Sequence, residues 1–293
     1  MTWNNVFCNT FKALSEELGL PPAGKSLVEL CRADDADFCQ EVVAKGWLSE
    51  AQMAHAAERY RLGKSKKGKP IFWMIDERGI VRDGRIGDTW VSMIFKRRYP
   101  ECGRYIVAKH CLFGMQLRSA TLGTDPSVQP EVADIFVSPQ CCTVAIVESE
   151  RSAVVLSELF PECIWMAYSY PSNFTVDKLA PLQGCVVSIY PHTDPTGCTY
   201  VSFLELADQA RRLYDIDLSV VDILEEHASE EQKERCIDIL DFITESSPLC
   251  VVKLGELRQN TDLKTEEQIK DIITEDSAMP LSQSVATERT IFR

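Results

Sequence analysis

The chain has 293 residues, 45% of them hydrophobic and 26% charged, and a formal net charge of −13 at pH 7. That composition is ordinary for a globular protein, with length for two modest domains or one large one. No apolar run approaches the roughly 20 residues of a membrane span. The opening M-T-W-N-N-V-F lacks the basic flank and apolar stretch of a signal peptide, so the expected compartment is the cytoplasm.

Residues 1–58 read as a helical region. V-F-C-N-T-F-K-A-L-S-E-E-L places Val6, Phe7, Phe11, Leu14 and Leu18 at three-to-four-residue spacing, and Ser49-Glu50 opens a further helix, S-E-A-Q-M-A-H-A-A-E-R-Y. Residues 59–120 form a basic, β-rich region, in which I-F-W-M-I-D and I-V-R-D-G-R-I-G flank the turn signal E-R-G and predict a hairpin. Residues 121–141 are a Pro/Gly/Asp/Ser-rich connector.

Residues 142–246 alternate strand and helix patterns. C-T-V-A-I-V, C-I-W-M-A-Y and G-C-V-V-S-I-Y read as strands. S-A-V-V-L-S-E-L-F reads as a helix, and V-D-K-L-A-P-L as a short one. A long amphipathic helix, T-Y-V-S-F-L-E-L-A-D-Q-A-R-R-L-Y, precedes the last strand candidate, L-S-V-V-D-I-L. Such alternation predicts an α/β domain with a mainly parallel sheet. Residues 247–293 are a C-terminal extension, expected to be partly disordered because apolar periodicity fades beyond about Thr265.

Charge is unevenly spread. Arg59 to Arg118 holds 15 Lys/Arg against 5 Asp/Glu in an otherwise acidic chain. Arg61, Lys64, Lys66, Lys67, Lys69, Lys96, Arg97 and Arg98 are the candidate phosphate contacts, since a local field rather than the total decides such binding. A solvated hairpin paired with the acidic remainder is the alternative. The twelve cysteines include no C-x-x-C pair and read as free thiols. His55, His110, His192 and His227 are too widely spaced for a zinc finger.

Three constellations bear on chemistry. G-L-P-P-A-G-K-S, Gly19 to Ser26, matches the phosphate-loop spacing, but a helix precedes it and Pro21 and Pro22 remove amide donors, so a helix-ending turn is expected. In V-A-I-V-E-S-E and S-I-Y-P-H-T-D-P-T-G, Glu148 and Asp194 fall at the carboxyl ends of buried strands, where they can share one crevice and hold a divalent cation. Capping of helices, or a Glu148–Arg151 pair, is the competing reading. In A-S-E-E-Q-K-E-R-C-I-D-I-L-D-F-I, Ser229 and Gln232 suit a capping box. Asp238 and Asp241 are possible accessory acids in that apolar run and need partners.

These same blocks, together with A-E-R-Y-R-L-G-K-S, H-C-L-F-G-M-Q-L, L-S-E-L-F-P-E-C-I-W-M-A and L-A-P-L-Q-G-C-V-V-S-I-Y-P-H-T-D-P-T-G, resemble the Toprim-like, primase-related proteins of Bacteroidota mobile elements over about Leu48 to Ile243. The resemblance implies a Toprim-like, mainly parallel sheet flanked by helices, preceded by the helical and basic β-rich region. It implies a glutamate after the first strand and a D-x-D after a later one that bind Mg²⁺ for phosphoryl transfer. Carried over, these are Glu148 and Asp194 as catalytic residues, with Glu148, His192 and Asp194 as the metal set. His192 stands where the first aspartate of D-x-D belongs, and Ser169-Tyr170-Pro171 replaces a Gly-Gly turn.

Two functions follow from the resemblance. One is a nucleic-acid-processing enzyme, a magnesium-dependent nucleotidyl transferase or nuclease of mobile-element DNA metabolism. The other is a catalytically inactive module that binds nucleic acid or a replication or mobilisation protein. Neither involves a membrane.

Overall fold

The computed structural model describes residues 27–98, 100, 109–121 and 143–246. The helix expected over Val6 to Leu18, the Gly19 to Ser26 segment, the connector beyond Thr121 and the C-terminal extension lie outside the described residues.

Short helices α1 (Leu27–Cys31), α2 (Asp37–Ala44) and α3 (Glu50–Arg59) come first. α3 starts where the sequence places it, because Ser49 and Gln52 form a reciprocal capping box. Strands β1 (Gly63–Lys64), β2 (Pro70–Ile75), β3 (Val81–Ile86) and β4 (Thr89–Trp90) follow as an antiparallel sheet in the order β1-β2-β3-β4. The predicted β2–β3 hairpin is observed, and buried Asp76 shapes its turn by accepting the amides of Arg78 at 3.0 Å and Ile80 at 2.9 Å.

The run I-F-W-M-I in β2 is buried on both faces, so alternate side chains feed two cores. Phe72 and Met74 join the main core, while Ile71, Trp73 and Ile75 pack with Val28 and Val91 in a smaller one. Val91 opens helix α4 (Val91–Arg98), and α5 (Gln116–Thr121) precedes the second sheet.

That sheet holds β5 (Thr143–Val147), β6 (Ile164–Ala167), β7 (Val186–Ile189) and β8 (Asp217–Val220), all parallel, in the order β6-β5-β7-β8. Helix α6 (Glu150–Leu159) links β5 to β6, and α7 (Cys198–Tyr214) links β7 to β8. Helices α8 (Ile223–His227), α9 (Glu230–Glu234) and α10 (Ile239–Ser246) complete the described chain. The fold is therefore α/β, with a parallel sheet flanked by helices behind a helical and β-rich region, as the resemblance implies. Among the described residues no helix is long and apolar enough to cross a membrane.

The two sheets share the main core. Phe113 pairs with Ala167 at the edge of β6, exchanging hydrogen bonds of 2.9 and 3.1 Å. Tyr60 stacks on Phe113 at 5.0 Å and donates its hydroxyl to the Trp165 carbonyl at 2.7 Å. Between them the chain needs Gly114, whose φ is +84° and where a Cβ would sit 2.8 Å from the Trp165 carbonyl oxygen.

The short helix expected at V-D-K-L-A-P-L is present as a 3-10 helix, Val176–Leu182, where Pro181 lacks the amide an α-helix needs. One expectation is corrected. Cys185 is disulfide-bonded, whereas Cys31, Cys39, Cys111, Cys198 and Cys236 are free thiols.

Candidate functional site

β5 is an interior strand and apolar after Thr143, so Glu148, the residue that follows it, emerges at the carboxyl end of the sheet. Ser149 then caps α6 by accepting the Arg151 amide at 3.2 Å. The neighbouring β7 ends at Ile189, and the chain continues through buried Tyr190 and Pro191 to His192. The two strand ends converge: His192 Nδ1 lies 2.8 Å from Glu148 Oε2, with both side chains mostly buried. The Tyr168 hydroxyl, beyond the end of β6, lies 3.4 Å from the same nitrogen.

This pairing holds the His192 pKa above its usual value, chiefly through the Glu148 hydrogen bond, with burial opposing it. Burial, reinforced by the Glu148 and Asp238 charges, raises the Tyr168 phenol well above its usual range. The crevice therefore favours protonation of the His192 ring more than water does, beside a phenol that burial keeps neutral. Glu148 does not pair with Arg151, which instead reaches Glu41 at 2.6 Å.

Asp194 takes a different part. Its Oδ1 accepts the Thr196 amide at 2.8 Å and the Thr196 hydroxyl, and its Oδ2 accepts the Thr199 amide at 2.8 Å. Thr199 lies in the first turn of α7, so the carboxylate satisfies donors that the helix leaves free. Gly197, at φ +67°, makes the tight entry possible. Desolvation opposes ionisation of Asp194, but the Thr196 and Thr199 hydrogen bonds outweigh it and hold the carboxyl far below its usual range.

Asp238 and Asp241 separate by role. Asp238 is buried, accepts the Ser152 hydroxyl, and caps α10 through the amides of Leu240 at 2.9 Å and Asp241 at 3.1 Å. Burial, with the Asp241 charge, pushes its carboxyl up to about 6. Asp241 is exposed and accepts the Asp238 amide at 3.3 Å.

The sequence reading missed a second group of residues that joins the sheets. Arg85 of β3 donates to both Glu150 oxygens, at 3.1 and 2.8 Å, and Glu150 is only 2% exposed. Ser169 donates its hydroxyl to Glu150 at 2.7 Å, and the Arg85 guanidinium lies 4.3 Å from the centre of the Tyr170 ring. Tyr170 thus turns toward Arg85 and toward Trp90, which stacks on His110 at 3.9 Å. His110 Nε2 lies 2.8 Å from buried Asp83. The only signal in the sequence was an acid opening a helix with an apolar face, a position that normally reads as a favourable dipole contact.

The basic candidates are scattered over the segment from the end of α3 to the start of β2 and over α4. Lys64 is paired with Asp35, and Arg61 is half-buried in a left-handed conformation at φ +53°. Lys66, Lys67 and Lys69 are exposed in the β1–β2 turn, and Lys96, Arg97 and Arg98 are exposed in the last turn of α4. Among the described residues Lys66, Lys67, Lys69, Lys96 and Arg97 make no ion pair.

Magnesium, which the resemblance implies, does not fit the side chains as they stand. Glu148 is engaged by His192, and both Asp194 oxygens hold donors of the α7 entry. Among the described residues no group of three or more His, Cys, Asp or Glu side chains is placed to hold a metal ion.

A family model described as a domain of unknown function, DUF6371, matches residues 135–193, a span containing Glu148 and His192 and ending one residue before Asp194. A solved structure described as the DnaG catalytic core is similar at a TM-score of 0.40 and 12% identity, over 85% of this chain and 94% of that one. No curated protein matches the chain.

Proposed function

We propose that this chain is a Toprim-like, primase-related module that binds nucleic acid without carrying out phosphoryl transfer, of the kind the proteins of Bacteroidota mobile elements represent. The observation that carries this reading is the Glu148–His192 pair. It sets an imidazole against the carboxylate that would otherwise take a metal and engages one of its two oxygens. Asp194 supports it, since recruiting its carboxylate to a metal would strip the α7 entry of its donors' partner.

Phosphates would lie on the exposed lysines and arginines of the β1–β2 turn and α4, because the crevice itself is acidic. A replication or mobilisation protein as second ligand is compatible with the acidic remainder of the chain.

Thermal unfolding with and without Mg²⁺ or Mn²⁺, together with oligonucleotide binding across a salt series, tests the proposal. The expected result is no metal-dependent shift and measurable strand binding. Reversing Lys96, Arg97 and Arg98 to Glu should weaken that binding and flatten its salt dependence. A metal-dependent rise in melting temperature that Glu148→Ala abolishes would refute the inactive-site reading.

A further inference from the structure

The row Arg85–Tyr170–Trp90–His110 runs across the junction of the two sheets, with rings contributed from β4, from the segment before α5, and from the loop after β6. Rings buried in the core spend their polar tips inside the chain, as Tyr60 does on the Trp165 carbonyl and as Trp165 does on the Phe160 carbonyl at 2.9 Å. Trp90 and Tyr170 are instead partly exposed, Trp90 resting against the main core and Tyr170 against Arg85.

The rings are nevertheless held in place. His110 is fixed against Trp90, at an interplanar angle of 19°, by Asp83. The Asp83 carboxylate is itself locked by the Ser92 amide at 3.0 Å and the Ser92 hydroxyl at 2.6 Å. Tyr170 follows Ser169, a non-glycine residue in the left-handed region at φ +70°. That conformation is strained, of order 1 kcal/mol or more, and persists where surroundings over-determine it. Here the Ser169 amide donates to the Glu148 carbonyl at 2.9 Å and the hydroxyl to Glu150 at 2.7 Å. A strained residue thus places a phenol ring beside an arginine, with its ordering already completed before any ligand arrives.

We propose that Trp90 and Tyr170, backed by His110 and Arg85, form a stacking site for the unpaired bases of single-stranded nucleic acid. The inference rests on the nucleic-acid reading above and adds where the bases go. An aromatic ligand is indicated by the two partly exposed rings, which His110 and Arg85 hold in place. A phosphate-bearing one is indicated by Lys96, Arg97 and Arg98 on α4, which starts at the residue after Trp90 and spans only about 12 Å. Arg85 is neutralised by Glu150, so the site itself recognises the flat base rather than the phosphate. A duplex, whose base faces are already stacked, has nothing to offer it.

The test measures binding of the full chain to labelled oligothymidine and oligouridine, to the matching duplex, and to a strand with abasic positions, each across a salt series. Trp90→Ala and Tyr170→Ala should each weaken single-strand binding about tenfold with an unchanged salt slope, whereas Tyr170→Phe should stay near wild type. The abasic strand should lose affinity for the wild type, a readout that needs no variant to fold. If wild type binds strands but neither alanine variant weakens them, or the abasic strand binds as well as the intact one, the stacking site is wrong while the nucleic-acid reading survives. If wild type binds neither oligonucleotide, both fall.

Discussion

Arg85 and Glu150, 65 residues apart, form a two-pronged ion pair in which the carboxylate is 3% and the guanidinium 15% exposed. Removing one partner from such a pair strands a buried charge, at about 3–5 kcal/mol, whereas replacing both is far milder. Arg85→Ala should therefore lower stability in denaturant titrations by several kcal/mol. The Arg85→Met/Glu150→Gln double variant should recover much of the loss. Equal stabilities for the single and double variants would remove the pair from the account.

The Glu148–His192 pair makes stability pH-dependent. The folded His192 pKa is raised above 6.5, so its contribution is complete below that value and is lost as pH rises through the folded pKa. The stability gap between wild type and His192→Gln, from urea unfolding at a series of pH values, should be widest just below pH 6.5 and close toward alkaline pH. A gap independent of pH would refute the pair's role.

Asp238 has the opposite character to a stabilising carboxylate. Its pKa rises from 3.8 to about 6 on burial, so folding favours the protonated form and stability falls as pH climbs between those values. Asn keeps one oxygen for the α10 amides and turns an N–H toward the Ser152 hydroxyl, which then accepts instead of donating, all without the charge. Asp238→Asn should raise stability at pH 7 by about 1 kcal/mol or more and flatten the profile between roughly pH 4 and 6. Destabilisation at pH 7 would show that the ionised form is required.

Asp194 behaves in this fold as a cap. Asp194→Ala should cost about 1 kcal/mol, Asp194→Asn much less, and neither loss should depend on Mg²⁺. A penalty that appears only with metal present would return Asp194 to a ligand role.

What the sequence revealed was local. The apolar runs of β5, β6 and β7 announce themselves because buried parallel strands need no polar face, and the Ser229–Gln232 capping box is present with both hydrogen bonds. Asp194 as a helix cap was among the alternatives the spacing allowed. The pairings were not legible. Glu148 meets His192 only because β5 and β7 are neighbours, and Arg151 meets Glu41 across 110 residues. The Arg85, Glu150 and Ser169 contacts depend on how the antiparallel sheet seats against the parallel one, which no single-strand pattern encodes. Tyr170 illustrates the same gap, since the sequence shows only that it stands in place of a turn glycine while its neighbours Arg85 and Trp90 decide where it points.

The short bridge from Phe113 to Ala167 has a bearing on how copies of this chain avoid one another. A parallel sheet exposes two rows of backbone donors and acceptors, each an invitation to pair with a stranger. Phe113 occupies part of the row along β6 with residues of its own chain. The other border, β8, is four residues long and turns Asp217 and Ser219 outward. Among the described residues one flank is thus partly covered by its own chain and the other is brief and polar, which leaves a second copy little edge to pair with.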